Sequence, residues 1–76
     1  MKINVNGAEK VIGEVPELLY WDLIILAGFK AGREGLTITY FGPKHGDMHR
    51  EGTVLPGKPV RPEEGMVFNV ADTSSA

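Results

Sequence analysis

Polar and apolar side chains alternate from the start of the chain: in KINV, Ile3 and Val5 fall on one side and Lys2 and Asn4 on the other. A period of two marks a strand with one buried face. Asn6-Gly7 follows, and because both residue types tolerate positive φ it predicts a hairpin. A strict two-residue turn places Lys10 opposite Ile3. A three-residue turn places Val11 there and keeps that face apolar, so the longer turn is expected, with a one-residue slip as the alternative. The period then changes in VPELLYWDLIILAGF. Pro16 and Glu17 suit a helix entry and Gly28 a C-terminal stop, while Leu19, Leu23, Leu26 and Ala27 form a stripe at three-and-four spacing. Trp21 and Ile25, four apart, lie on the other side together with Asp22. They read either as a widening of the core stripe or as an exposed contact patch.

Alternation returns in LTITYF, where Leu36, Ile38 and Tyr40 oppose Thr37, Thr39 and Phe41, and the β-branched and aromatic content fits a strand. The segment before it, FKAGREG, is a glycine-rich connector. It lacks the Lys-Ser/Thr ending of a nucleotide-binding loop, so phosphate cradling is disfavoured. GPKHGDMHREG is rich in turn residues and reads as a loop. TVLPGKPVRPEEG holds a short strand and a turn at Pro56-Gly57, and Pro59 and Pro62 forbid a long central strand. MVFNVA is the last strand, with Met66, Phe68 and Val70 on one face. Strands before and after a single helix predict an α+β layer, one mixed sheet packed on one helix. With the first and last strands parallel and the helix in the crossover, the arrangement is the β-grasp.

The bulk properties narrow the function. The chain has 76 residues, enough for one domain, and no cysteine, so packing alone must hold it and no thiolate site exists. The absence of cysteine gives no sign of an oxidising compartment, so a cytoplasmic setting is expected. A net charge of −2, with 8 scattered Lys and Arg, does not supply the clustered positive field of a nucleic-acid binder. No apolar run reaches membrane-spanning length, and the N-terminus lacks the apolar region of a signal peptide. Neither nucleic acid nor membrane is therefore expected as a partner.

The order and length of these elements resemble the ubiquitin superfamily. More closely, NG after the first strand, LAGF closing the helix, TITY, GTVLPGKPV, and GMVFNV followed by ADTSS resemble the bacterial multiubiquitin-domain family, over Lys2 to about Ser75. No single element is specific; their order and spacing together carry the likeness. The resemblance implies a ubiquitin-like protein modifier in a bacterial ubiquitination-like pathway. The partners it implies are an activating-enzyme homologue that uses ATP, a conjugating-enzyme homologue, a JAB-type deubiquitinating peptidase and a target protein. It also implies a link to antiphage defence for some relatives. Members often occur as tandem domains, whereas a single unit is present here. On this reading the chain is a substrate of enzymes and not itself an enzyme, and it binds no cofactor of its own.

A modifier of this kind works through its C-terminal carboxylate, which the activating enzyme adenylates before passing the acyl group to a nucleophile. The chain divides into a β-grasp domain over residues 1–71 and a flexible tail over 72–76, namely Asp72, Thr73, Ser74, Ser75 and Ala76. From Ala71 onward, six residues reach roughly 20 Å when extended, and their small side chains suit a narrow channel. Yet such tails usually end in Gly-Gly, and no glycine follows Gly65 here. Glycine lets the backbone approach a nucleotide closely, so its absence disfavours a sulfur carrier. It also leaves two routes open: Ala76 bears the reactive carboxyl, or a peptidase first trims the tail to an end between Asp72 and Ser74.

Other residues carry weaker signals. His45, Asp47 and His49 could ligate a metal, but one short loop without a fourth ligand rarely makes a closed site, so no metal is expected. A triad drawn from Ser74, His45 and Asp47 has no support beyond the residue types. Thr39, Phe41, Val67 and Asn69 are expected on the sheet face away from the helix, where Phe41 and Val67 form either scattered surface hydrophobes or a docking patch for the activating enzyme. Lys2, Lys10, Lys30, Lys44 and Lys58 could accept conjugation, and nothing selects one. The alternative to a modifier is a non-conjugated β-grasp interaction module that binds through Trp21/Ile25 or Phe41/Val67.

Overall fold

The computed structural model describes residues 1–43 and 50–72. Within them the order is β1 (Lys2–Val5), β2 (Ala8–Val11), α1 (Tyr20–Leu26), β3 (Leu36–Phe41), β4 (Glu51–Val54) and β5 (Val67–Asp72). The strands form a mixed sheet in the order β2-β1-β5-β3-β4. β1 and β5 run parallel, while β1–β2, β3–β4 and β3–β5 are antiparallel. The architecture is α+β, a sheet with one helix among the described residues. No helix among them is long and apolar enough to cross a membrane.

The first hairpin differs from the expectation. Ile3 faces Lys10 and Val5 faces Ala8, so the turn has two residues. Asn6 (φ 52°) and Gly7 (φ 84°) both take positive φ, as the type I′ turn requires, and the twist of that turn matches the strands it joins. Turn geometry therefore wins over apolar alternation in β2. Val11 falls beside Lys2 on the outer face and is 74% exposed. The ladder continues one step past both strands, where Met1 and Ile12 exchange backbone hydrogen bonds of 2.9 and 2.8 Å.

The helix is shorter than expected and its buried stripe is rotated. Leu18 is extended and exchanges backbone hydrogen bonds of 2.7 and 3.0 Å with Val60, so helix begins only after it. Leu19 is the N-cap, where Asp22 Oδ2 accepts its N–H at 3.1 Å. Tyr20, Leu23 and Ile24 are the buried helix residues; Leu19 is exposed and Leu26 half-buried, so the Leu19–Leu23–Leu26 stripe is corrected to one led by Tyr20. A buried tyrosine is tolerated because its hydroxyl donates to Leu36 O at 2.8 Å. At the other end Gly28 (φ 90°) donates to Ile25 O at 3.0 Å and Phe29 donates to Ile24 O at 3.1 Å. That pair of bonds is the Schellman stop, with Phe29 packed on the core as its hydrophobic contact.

The core lies between helix and sheet. Phe68, Ile38, Val54, Ile3 and Val5 from the strands join Leu23 and Ile24 from α1, with Met66 closing one end. Each is at least nine-tenths buried, worth about 1.5–3 kcal/mol of transfer free energy per large side chain. Met66, Phe68 and Val70 share the buried face, as do Leu36, Ile38 and Tyr40 (the last half-buried), as alternation predicts.

Candidate functional site

β5 is the structural root of the C-terminus. It lies inside the sheet between β1 and β3. On the β3 side it pairs along its whole length, from Phe41↔Val67 to Leu36↔Asp72. Pairing with β1 is short, through Asn4 and Val5 and backbone bonds from Asn4 to Met66 O and from Asn6 to Phe68 O. Past that point a side chain replaces the backbone. Asn6 Nδ2 donates to Val70 O at 3.0 Å, and its Oδ1 accepts the Val70 N–H at 2.7 Å. The same asparagine thus forms the tight turn and holds β5.

Asp72 is the last residue of β5. Its carboxylate pairs with Arg33, which lies in the connector between α1 and β3. Arg33 is braced in turn: its N–H donates to Lys30 O at 3.1 Å, and its guanidinium sits 6.0 Å from the Phe29 ring centroid. Both members of the pair are about one-third exposed, so the link is screened by solvent and holds weakly. The remaining tail residues, Thr73, Ser74, Ser75 and Ala76, lie outside the described residues.

The expected sheet-face residues do come together. Phe41 and Val67 face each other across β3 and β5, and Thr39 faces Asn69 on the same face one rung further along. Thr37 and Ala71 form the next rung toward Asp72. The face away from the helix is therefore apolar at the Phe41/Val67 end and polar or small toward the root of the tail. Phe41 is 47% exposed while Val67 is half-buried. Glu51 flanks Phe41 from β4, and a shallow hollow of about 390 Å³ runs beside it, lined by Thr39, Phe41, Glu51 and Thr53 with Tyr40 and Gly52.

Trp21 and Ile25 lie on the outward side of α1, 42% and 56% exposed. Tyr20, their buried neighbour, meets the Trp21 ring edge-on at 5.0 Å between centroids. Of the two sequence readings of this pair, widened core stripe or outward patch, exposure favours the second. His45, Asp47, His49 and Lys44 lie outside the described residues, and so does the triad that used them. Among the described residues no group of three or more His, Asp or Glu is placed to hold a metal ion. Lys2, Lys30 and Lys58 are exposed and Lys10 is half-buried.

Sequence reasoning missed Asn6 and Arg33. Asn-Gly advertised the turn, but nothing in the sequence places the Asn6 amide beside Val70, 64 positions away. Searched against protein families, curated proteins and solved structures, the chain matches none.

Proposed function

We propose that this chain is a ubiquitin-like protein modifier of β-grasp fold. On this reading an ATP-dependent activating enzyme acts on its C-terminal carboxylate and passes it to a conjugating enzyme and a target. The observation that carries this reading is the position of β5. β5 is an interior strand, parallel to β1, held on its β1 side as far as Val70 and on its β3 side as far as Asp72, so the last described residue is rooted in the middle of the sheet. A tail that is seized and pulled by an enzyme needs such a root, because an edge strand would peel one ladder at a time. The strand order β2-β1-β5-β3-β4 supports the β-grasp assignment. The chemistry belongs to the enzymes: a carboxylate oxygen attacks the α-phosphorus of ATP and displaces pyrophosphate, and a cysteine thiolate then takes the acyl group and releases AMP. The modifier supplies a carboxylate on small residues and a surface by which it is recognised. The pairs Thr39/Asn69 and Thr37/Ala71, polar or small, connect the Phe41/Val67 contact to the tail root, so one partner can grip both.

The test mixes the purified chain with ATP and an activating-enzyme homologue encoded beside it, and follows both by intact mass. The reading expects an acyl-adenylate, a covalent adduct on the enzyme, or a trimmed tail that then reacts. If no adduct forms and no trimming occurs with any neighbouring enzyme, the modifier reading fails.

A second reading, a non-conjugated interaction module, is favoured by one observation: Trp21 and Ile25 stand exposed on α1. Capture of a partner that Trp21→Ala abolishes, and that removal of residues 73–76 leaves untouched, would select it.

A further inference from the structure

The outer edge of β2 carries an inference that is independent of the tail and of the modifier reading. β2 is the first strand of the sheet and has a neighbour on one side only. The hydrogen-bond phase shows which backbone groups are left. Ile12 exchanges bonds with Met1, so by alternation Lys10 and Ala8 also point toward β1, while Glu9 and Val11 point outward. Among the described residues nothing pairs with the backbone N–H and C=O of Glu9 and Val11. Both side chains lie on the face away from the helix, and Val11 is the most exposed large apolar residue described, at 74%. The Ala8–Val11 register contains neither bulge nor proline; what blunts this edge is its length of four residues and the charges of Glu9 and Lys10. The other edge, β4, runs into the Leu55↔Lys58 bridge around Pro56-Gly57.

We propose that this edge pairs antiparallel with the same edge of a second copy, about a two-fold axis normal to the sheet, with Val11 opposite its counterpart. The register follows by exclusion. Outward-pointing residues must face outward-pointing residues, so within β2 the axis passes through position 8, 9, 10 or 11; at position 8 the partner strand would run into the Asn6-Gly7 turn. At position 9 two glutamates face each other. At position 10 two lysines form the non-hydrogen-bonded pair, the closest side-chain approach, with Cα atoms about 4.5 Å apart. Like charges directly opposite are destabilising. At position 11 two exposed valines meet, Glu9 falls opposite Gly13, and Lys10 falls opposite Ile12, so no like charges face each other. Four-residue edges bury less than the roughly 1,200 Å² of a stable interface, so the dimer is weak and concentration-dependent.

The chain contains no cysteine, so single cysteines report the register cleanly. Cα atoms of a hydrogen-bonded pair lie about 5.5 Å apart, within the disulfide range. Under mild oxidation at high protein concentration, Val11→Cys should crosslink to a homodimer about tenfold faster than Glu9→Cys or Lys10→Cys. Sedimentation should show reversible dimerisation of the wild type across the millimolar range. Val11→Glu should abolish it by setting two glutamates opposite each other, while moving the urea midpoint little, because Val11 is 74% exposed in the monomer and a glutamate there faces Lys2. A wild type that stays monomeric throughout that range overturns the proposal. So does crosslinking of Glu9→Cys or Lys10→Cys as fast as Val11→Cys, or a Val11→Glu variant that still dimerises.

Discussion

The Asn6 amide stands in for a strand residue beside Val70, donating to its carbonyl at 3.0 Å and accepting from its N–H at 2.7 Å. β1 ends at Val5, so without Asn6 the β1 side of β5 would be open from Val70 onward. Asn6 also takes φ 52° in the hairpin turn, and the two roles can be separated. Glycine accepts the same φ at no steric cost but has no amide. Asn6→Gly should therefore keep the hairpin and lose both bonds, costing about 1–2 kcal/mol by net hydrogen-bond values. Amide exchange should accelerate at Val70 before it does at Ile38. Unchanged protection at Val70 would mean that the asparagine serves the turn alone.

Arg33 and Asp72 hold the same strand end from the other side. Because both are partly exposed, Arg33→Ala should cost no more than about 1 kcal/mol, and raising the salt concentration should erase most of the difference from wild type. The local effect should be larger than the global one, with faster exchange at Asp72 and little change at Phe68. A uniform loss of protection across the sheet would contradict a role confined to the strand end.

Tyr40 and Gly52 face each other across β3 and β4, and the ring covers the glycine. A Cβ at Gly52 would lie 2.8 Å from the Tyr40 hydroxyl and 3.0 Å from Cζ. Gly52→Ala should push the ring aside and cost about 1–3 kcal/mol. With Tyr40→Ala already in place, the same substitution should cost far less. A double-mutant cycle measures that coupling; additive single changes would show that the contact carries no energy.

The extent to which this fold could be read from the sequence depended on whether one rule acted alone. β3 and β5 lie across the sheet interior with one face on the helix, and for them alternation gave both the element and the buried side. β2 is an edge, so nothing forced its alternation inward. There the Asn-Gly turn set the register and Val11 ended outside. In the helix, Tyr20 carries a hydroxyl and does not score as a core residue until its acceptor, Leu36 O, is known. That acceptor is a long-range fact, and without it apolar spacing alone points to Leu19. The sheet-face pair Phe41/Val67 followed from period-two reasoning alone. Asn6 and Arg33 could not, since each acts through a partner 64 or 39 positions away.

Two apolar surfaces compete as the recognition site, and stability measurements can clear the ground before binding is tested. Phe41 is 47% exposed and packs across from Val67, while Trp21 and Ile25 are exposed on α1. Removing a half-exposed side chain forfeits only the buried part of its transfer free energy, so Phe41→Ala and Ile25→Ala should each cost about 1 kcal/mol or less. A loss above about 2 kcal/mol at Phe41 would be a core-sized cavity cost and would remove it from the candidates. With folding intact, binding then separates the two readings. If the chain is a modifier, Phe41→Ala should weaken binding to the activating enzyme and slow adduct formation, while Trp21→Ala leaves both near wild type. If it is an interaction module, the pattern reverses and deletion of residues 73–76 has no effect. Sensitivity at neither surface would leave recognition to the strand end held by Asn6 and Arg33, whose variants are then the next to assay.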